Sequence, residues 1–292
     1  MADPIKFLTL HTDQKKKNMK KKSFIFISGI LLTAMTFMSC SSDDAPPIRL
    51  EKPNTTGKAI TAVEHSGYLP DTYDWKFNYH DGRLTSGEGT YRKEVESPYT
   101  YNFYLDYGSD RLGIRSSGNE ESIITLNSDN LIQKMQVNKN TFNFIYASKY
   151  LIAWEENIVS ESFGQVTSYT SNAIITYDNF GNLKEIAYTE NSNYEDDKCT
   201  ITFTPSDIPN INGLLPEVVS KQMGCLGFEY LYYAGALGKG SSNLVKRAQF
   251  NYAKYPEKNF EIEFDYVKDR EGNVTYCTYS YKDRPAGVTY RY

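Results

Sequence analysis

The sequence is poor in the side chains that most enzymes use for chemistry. Its 292 residues include three histidines and four cysteines, and no two cysteines form a C-x-x-C pair. The motifs G-x-S-x-G, H-E-x-x-H and G-x-G-x-x-G are missing as well. His65 and His80 lack a spaced His or Cys partner, and we predict that both are solvated, one near a linker and one in a turn. The sequence therefore predicts a protein that is not an enzyme and that holds neither a metal nor a cofactor.

No hydrophobic run is long enough to be a transmembrane helix. The longest, residues 24–38, has 15 residues, whereas the core of a bilayer needs about 20 helical residues. Three lysines at positions 20–22 precede it, as in the basic start of a signal peptide. We predict a signal peptide over residues 19–39 and an upstream extension over residues 1–18, which has no apolar periodicity.

One thiol follows this run directly. Cys40 comes after Phe37, Met38 and Ser39. The arrangement resembles the lipobox of bacterial lipoproteins, although a lipobox usually has Leu where Phe37 stands and a small residue where Met38 stands. The polar stretch that follows resembles the signal that sends Bacteroidetes-type lipoproteins to the outer face of the outer membrane, and it consists of Ser41, Ser42, Asp43 and Asp44.

These resemblances imply a lipid on Cys40 that attaches the protein to the outer membrane, facing the cell exterior. Residues 40–66 contain several prolines and no apolar period, so we interpret them as a tether between the lipid and a domain over residues 67–292. An ordinary secretory signal with an incidental cysteine, and a periplasmic position, are the alternatives.

The chain is acidic, with 36 acidic and 32 basic residues and a net charge of −4. Removal of residues 1–39, which hold seven lysines and two aspartates, would bring the net charge to −9. Binding to nucleic acid depends on Lys and Arg that neutralise phosphates. We therefore exclude nucleic acid as a partner.

From about Tyr73 onward, aromatic residues occupy every second position of successive runs, as in Trp75, Phe77 and Tyr79. Such alternation predicts strands with one buried face. Short turns rich in Gly, Asn and Asp separate the runs and favour antiparallel neighbours. The predicted fold is all-β: an antiparallel up-and-down meander of roughly 10–14 strands, strongly curved or closed into a barrel, with two packed sheets as the alternative. A barrel that spans a membrane is disfavoured because charges alternate along the strands, at Lys76, Glu261, Glu263 and Asp265.

Residues 205–243 interrupt the strand pattern. Leu231, Ala234 and Leu237 recur at helical spacing, and Gly238 suits the end of a helix. We predict one or two short helices here that plug or cover an open end of the sheet.

A lipobox, a Tyr-rich meander, the stretch from Leu237 to Leu244 and a terminal hairpin rich in Tyr and Thr together resemble a domain of unknown function found in Bacteroidetes gut lipoproteins, over roughly Tyr68 to Tyr292. That family is described as having a porin-like β fold, so the resemblance implies a fold and a location but no catalytic residues. Turns such as Tyr79 to Leu84 and Tyr177 to Leu183 also resemble YD-type repeats, although an ordinary meander would produce similar turns.

Three cysteines remain in the body of the chain: Cys199, Cys225 and Cys277. We expect three free thiols that behave as small buried hydrophobes. If a disulfide formed, Cys199 and Cys277 would be the pair, brought together by a crossover at the insert.

Tyrosine is abundant, with 25 copies that all follow Gly67. Most would pack in the core, but exposed rings near Trp75 or Trp154 could stack on sugars. We therefore predict a binding or scaffold module for a glycan or a partner protein. The alternatives are a structural or host-contact module without a small ligand, and a glycan hydrolase. Glu155 and Glu156 point to opposite faces of a strand and cannot act on one bond. A calcium site at the loop of Asn191, Asn193, Glu195, Asp196 and Asp197 is a minor alternative.

Overall fold

A computed structural model describes Leu50 and residues 56–67, 72–93, 96–108, 111–117, 121–162, 165–191 and 196–292. The described residues belong to one unit, residues 44–292. The predicted extension, signal peptide, lipid site Cys40 and export signal Ser41, Ser42, Asp43 and Asp44 lie outside the described residues. Among the described residues, no helix is long and apolar enough to cross a membrane.

Sixteen strands make up the described part of the chain. The first eight are β1 (Ala62–Gly67), β2 (Thr72–His80), β3 (Arg83–Lys93), β4 (Glu96–Tyr107), β5 (Leu112–Ser116), β6 (Glu121–Leu126), β7 (Ile132–Val137) and β8 (Asn140–Ala147). The others are β9 (Tyr150–Ser162), β10 (Gln165–Tyr177), β11 (Leu183–Asn191), β12 (Asp196–Pro209), β13 (Asn243–Tyr252), β14 (Phe260–Lys268), β15 (Val274–Tyr281) and β16 (Arg284–Arg291). A short helix, α1 (Glu229–Tyr233), lies between β12 and β13, and a 3-10 turn (Pro256–Lys258) precedes β14.

The strands form a closed antiparallel barrel in which each strand pairs with its neighbours in sequence. Pairing of β1 with β16, from Ala62 with Arg291 to Gly67 with Ala286, closes the circle. The predicted all-β, up-and-down meander is confirmed, and of the two forms considered the closed one is present. Strand β1 falls in the stretch predicted to be a tether, so the barrel begins earlier than residue 67.

The predicted number of strands, 10–14, was too low because some strands lack alternating aromatic residues. Strand β3 carries Gly87 and Gly89 at two of its buried positions. A Cβ atom at Gly87 would lie 2.6 Å from the Phe103 ring, and one at Gly89 would lie 2.6 Å from the Trp75 ring. Glycine is therefore needed at these two positions, because large rings of the neighbouring strands lie against the backbone of β3. Since glycine has no side chain, β3 lacks the alternating apolar residues by which a strand is predicted from sequence.

Apolar and polar residues alternate along the strands, so the barrel has an apolar interior and a polar outer face. On β14, Ile262 is 1% and Phe264 is 4% exposed, whereas Glu261, Glu263 and Asp265 are exposed. Cross-strand ion pairs lie on the same outer face. Lys76 Nζ lies 2.7 Å from Glu88 Oε1, and Arg247 Nη2 lies 3.1 Å from Glu263 Oε1. The core of the domain is thus the lumen of the barrel.

The segment between β12 and β13, residues 210–242, fills this lumen and is called the insert below. Its side chains Leu231, Ala236 and Val219 are fully buried and belong to the same core as the inward residues of the strands. The ring of Tyr230 stacks on that of Phe103 on β4, with the centroids 4.1 Å apart. The insert plugs the barrel, as predicted, but among its residues only α1 is an α-helix, and turns form most of the rest.

Repeated turns hold both ends of the insert. Asp178 Oδ1 accepts hydrogen bonds from the backbone of Phe180 and Asn182, and Asp269 Oδ1 does the same for Glu271 and Asn273. The two asparagines then bind the insert and its exit: Asn273 Oδ1 accepts from Asn212 Nδ2 at 2.9 Å, and Asn182 Oδ1 accepts from Asn243 N at 3.0 Å. The turns likened to YD repeats are hairpin turns of the meander, and of the two only the turn after Tyr177 contacts the exit of the insert.

The three body cysteines are free and buried. Cys199 lies on β12 and Cys277 on β15, and β13 and β14 stand between them. The crossover that would have brought them together does not exist, because the insert begins and ends at adjacent strands. The expected three free thiols are confirmed, and the Cys199–Cys277 pair is ruled out.

We expect the Leu231→Ala variant to lose about 2–5 kcal/mol of unfolding free energy, because it leaves a cavity in the filled lumen. Urea unfolding followed by circular dichroism measures the loss. Ile174→Ala is the matched control, since Ile174 is 62% exposed on the outer face and its loss should cost within about 1 kcal/mol. Equal costs at the two positions would contradict the assignment of inner and outer faces.

We expect three reactive thiols per chain when a Cys40→Ala variant is unfolded without reductant and titrated with a thiol reagent. In the native protein the same three thiols should react slowly, because burial raises the pKa of Cys225 and Cys277 and keeps them protonated. A count of one after unfolding would show that a disulfide forms.

Candidate functional site

The two tryptophans predicted to stack on sugars lie inside the barrel. Trp75 is 2% and Trp154 is 3% exposed. The Trp154 indole donates a hydrogen bond to the backbone oxygen of Gln222 at 2.8 Å, which ties β9 to the insert. Neither ring offers a face to solvent, so both serve the core, and a stacking platform on the outer surface has no basis at these positions.

His65 occupies a place that the sequence did not indicate. It was predicted to be solvated, but its side chain is only 6% exposed and points from β1 into the lumen. Nδ1 lies 3.2 Å from Asp74 Oδ1, and Nε2 lies 3.1 Å from Glu217 Oε2. One carboxylate comes from the barrel wall and the other from the insert, so the imidazole joins the two. His80 is exposed, as predicted.

A gap between β1 and β2 makes room for this arrangement. The two strands pair only at Ala62 with Lys76 and at Val63 with Trp75. Beyond these pairs the Asp74 carboxylate accepts a hydrogen bond from the backbone N–H of His65 at 2.8 Å. A side chain thus replaces the sheet partner that this backbone group lacks.

Further contacts hold both carboxylates in place. Arg92 Nε contacts the second oxygen of Asp74. The Tyr290 hydroxyl donates to Glu217 Oε1 at 2.6 Å. Each oxygen of Glu217 therefore already accepts one hydrogen bond, and the network is built to hold its members still.

Burial alone would lower the pKa of His65, because it penalises the charged imidazolium. The hydrogen bonds to Asp74 and Glu217, and their negative charges, outweigh burial and raise the pKa of His65 to about 9. Burial also opposes ionisation of Asp74, yet the hydrogen bonds from His65 hold the pKa of that carboxyl below its ordinary value. Near neutral pH the network contains an imidazolium between two carboxylates.

A cavity of about 200 Å³ lies beside this network, between the insert and the barrel wall. The wall strands that line it are β1, β2, β13, β14 and β15, and it lies at the end of the barrel opposite the two attachments of the insert. Eight of its twenty lining residues are aromatic. Its polar lining includes His65 and Glu217 of the network together with Gln222 and Glu229 of the insert.

Glu229 is the most buried acid of the cavity, with 5% exposure. Burial raises the pKa of Glu229 to about 7, although hydrogen bonds from the backbone and from the Ser220 hydroxyl, and the charge of His65, act in the opposite direction. Its Oε2 accepts a hydrogen bond from Gly227 N at 2.9 Å. Among the described residues, no Lys, Arg or His lies within 4.0 Å of this carboxylate.

The adjacent acids Glu155 and Glu156 lie outside the cavity. Glu155 is exposed on the outer face, and burial raises the pKa of Glu156 to about 7. Its neighbour Glu190 forms an ion pair with Lys221, with Nζ and Oε2 2.7 Å apart. Neither Glu156 nor Glu190 lines the cavity. These acids therefore take no part in the site formed by the cavity and the His65 network.

The alternative calcium loop falls mostly outside the description, because Asn193 and Glu195 are not described. Among the residues that the structure does describe, no group of three or more His, Cys, Asp or Glu side chains is arranged to hold a metal ion.

The barrel fold is shared with a solved structure from Bacteroides. A porin-like protein from Bacteroides uniformis ATCC 8492 aligns with a TM-score of 0.58 and 18% identity, over 80% of this chain and 98% of its own. A porin-like protein from Bacteroides vulgatus ATCC 8482 aligns with a TM-score of 0.48 and 11% identity over the same shares. No protein-family model matches the chain, and no curated protein does. The likeness to the first structure shows a common barrel fold.

Sequence reasoning missed the whole network because its members are 9 to 152 residues apart and no motif joins them. One signal was available. His65 lies two residues after Val63 in an alternating stretch that ends at Gly67, so a strand there would have predicted an inward imidazole.

We expect the His65→Gln variant to flatten the pH dependence of stability above neutral pH. A raised folded pKa means that the stabilisation by His65 is complete below its unfolded value, about 6.5, and is lost as pH rises through about 9. In the unmodified protein this loss should be on the order of 1–3 kcal/mol.

Urea unfolding at several pH values between about 7 and 9 measures this difference. Glu156 completes its titration low in this window in both proteins, so subtraction removes its contribution. The charge of His65 lowers the pKa of Glu229, so both proteins are compared in a Glu229→Gln background, where this contribution is absent. Identical slopes in the two proteins would show that His65 is not an imidazolium.

Proposed function

We propose that the protein is a lipid-anchored module of the outer membrane, facing the cell exterior, whose plugged barrel stands in water and binds a ligand without catalysis. The observation that carries the proposal is the polarity of the barrel. Transmembrane barrels carry an apolar outer band and a polar interior. Here the interior is apolar and filled by the insert, and the outer face carries charges such as Glu261, Glu263 and Arg247.

Among the described residues, few large apolar side chains on the outer face are exposed. They are Tyr104, Ile123, Ile145, Ile174 and Val267, whereas the exposed Phe180 lies in a turn and the exposed Tyr99 lies at the rim of the lumen beside Tyr73. Ile174 and Ile145 flank Ala153 on β9, but charged Glu155 follows on the same face. An outer face of this kind suits water, and a lipid on Cys40 would then supply the attachment to the membrane.

A binding role is favoured over a purely structural one by the cavity. A fold that serves only as a spacer gains nothing from a half-polar cavity in its core, because the side chains that line the cavity lose packing contacts with one another there. Pockets with an aromatic lining and a few converging polar groups are the usual form of a small-molecule site. The hypothesis of a small ligand in the lumen therefore replaces that of a glycan on exposed tryptophans.

The hydrolase alternative has less support. Glu217 and Glu229 both line the cavity, and a glycosidase needs two such carboxyls. Both oxygens of Glu217 are engaged, however, by His65 and Tyr290. A carboxylate held in this way is not free to attack a sugar or to activate a water molecule.

The decisive comparison is between the unmodified protein and its Cys40→Ala variant in a Gram-negative host that processes lipoproteins. We expect the unmodified protein to incorporate labelled fatty acid and to sediment with outer membranes, and the variant to be soluble without detergent. A variant that sediments with outer membranes after its signal peptide has been removed would show that the barrel itself inserts.

A second variant tests the orientation. Replacement of Ser41, Ser42, Asp43 and Asp44 by alanine keeps Cys40 and should keep the lipid. We expect protease added to intact cells to digest the unmodified protein and to spare this variant. Protection of both proteins would place the barrel in the periplasm.

A further inference from the structure

We propose that the cavity binds a small organic cation, namely a primary ammonium group on an apolar or aromatic body of about ten non-hydrogen atoms. This inference deepens the binding role proposed above and rests on it. It follows from the charges, the lining and the unsatisfied polar atom of the cavity, which are taken in turn.

The uncompensated charge of the cavity is negative. Its two basic side chains are already paired: His65 lies between Asp74 and Glu217, and Lys221 lies 2.7 Å from Glu190. Glu229 has no such partner among the described residues, and it is nearly fully buried. A buried charge is stable only with a partner, so a cation entering here would satisfy Glu229, whereas an anion would meet groups already neutralised.

The wall of the cavity suits the rest of such a ligand. Its aromatic residues come from the wall strands and the insert, among them Tyr73, Trp75, Tyr233, Tyr252 and Tyr279. Aromatic faces attract cations, and the attraction grows when water is removed. The same rings bury an apolar or aromatic body.

An independent observation points to a donor on the ligand. Gln222 lines the cavity, and its Oε1 atom is buried with no hydrogen-bond partner. Leaving a buried acceptor unsatisfied is costly. A primary ammonium has three N–H donors, which is enough to supply both a carboxylate and an amide oxygen of this lining.

The volume limits the size of the ligand. A cavity of about 150 Å³ accommodates benzene, and this one measures about 200 Å³. An aromatic ring with a two-carbon amine arm is the class of molecule that fits, and 2-phenylethylamine is a suitable probe. Its alcohol, 2-phenylethanol, has the same number of non-hydrogen atoms and no charge.

The affinity of the cavity for the amine should depend on pH, through the ionisation of Glu229. Near pH 6 Glu229 is mostly protonated, because burial raises its pKa to about 7, and near pH 8 it is mostly charged. The other titratable groups that interact with it come from β1, β2, β4 and the insert, and they are His65, Tyr73, Tyr101, Cys225 and Tyr233. All five keep their protons over this range, as does an alkylamine.

The test is calorimetric titration of the full acylated protein in detergent. At about pH 8 we expect 2-phenylethylamine to bind at least about tenfold more tightly than 2-phenylethanol, a difference of about 1.4 kcal/mol. At about pH 6 this preference should shrink. Equal affinity for amine and alcohol, or no binding of the amine, would overturn the inference, and this comparison needs no variant that must fold.

Two variants then locate the charge. Glu229→Gln retains an acceptor for Gly227 N and should lose the preference for the amine. Glu263→Gln removes an exposed acid of the outer face and should leave the preference unchanged. A Glu229→Gln protein that folds and still prefers the amine would refute the role of Glu229.

The calorimetric result can be interpreted independently of the result of the anchoring experiments. Calorimetry in detergent does not depend on the lipid or on the side of the membrane. A barrel that binds the amine but stays in the membrane after Cys40→Ala contradicts the anchoring only. An anchored barrel that does not distinguish amine from alcohol contradicts the ligand class only.

Discussion

The structure depends on how its lumen is filled. Barrels of 16 to 18 strands, as in porins, leave room for an aqueous channel when nothing occupies the interior. In this protein the inward residues are apolar, so an empty interior would expose Phe103, Ile132 and Ile186 to water. The insert removes that cost, because it places Leu231, Tyr230 and its other apolar residues against the wall. Barrel and insert therefore require each other.

The polarity of the outer face follows from the same requirement. Once the apolar side of each strand has turned inward, alternation leaves Lys76, Glu88, Glu263 and Asp265 to face outward. Two turns between strands also bind the insert. The Asp-to-Asn turns at residues 178–182 and 269–273 close hairpins, and their asparagines also bind the two ends of the insert. A local turn motif thus fixes the position of a long, mostly irregular segment.

Much of this could be read from the sequence, and the rest could not for physical reasons. The alternation of buried and exposed residues along a strand is a local pattern, so strands with alternating aromatic residues, such as β2 and β14, were predicted. The sequence of β3 hid its role, because Gly87 and Gly89 are explained only by the rings of Phe103 and Trp75 on neighbouring strands. The His65 network was hidden for a related reason. His65 and Glu217 meet across 152 residues, and a single histidine in a sequence carries no information about distant partners.

The position of the cavity follows from the way the insert is attached. Both ends of the insert are tied to the same end of the barrel, through Asn212 and Asn243. Its far part makes separate polar contacts with the wall, among them Trp154 with Gln222, Tyr101 with Gly227, and His65 and Tyr290 with Glu217. The cavity lies beside this far part, away from the two attachments. Glu229, which has no ion-pair partner among the described residues, and the unsatisfied Gln222 Oε1 both line it, so a small ligand would add contacts where the plug ends.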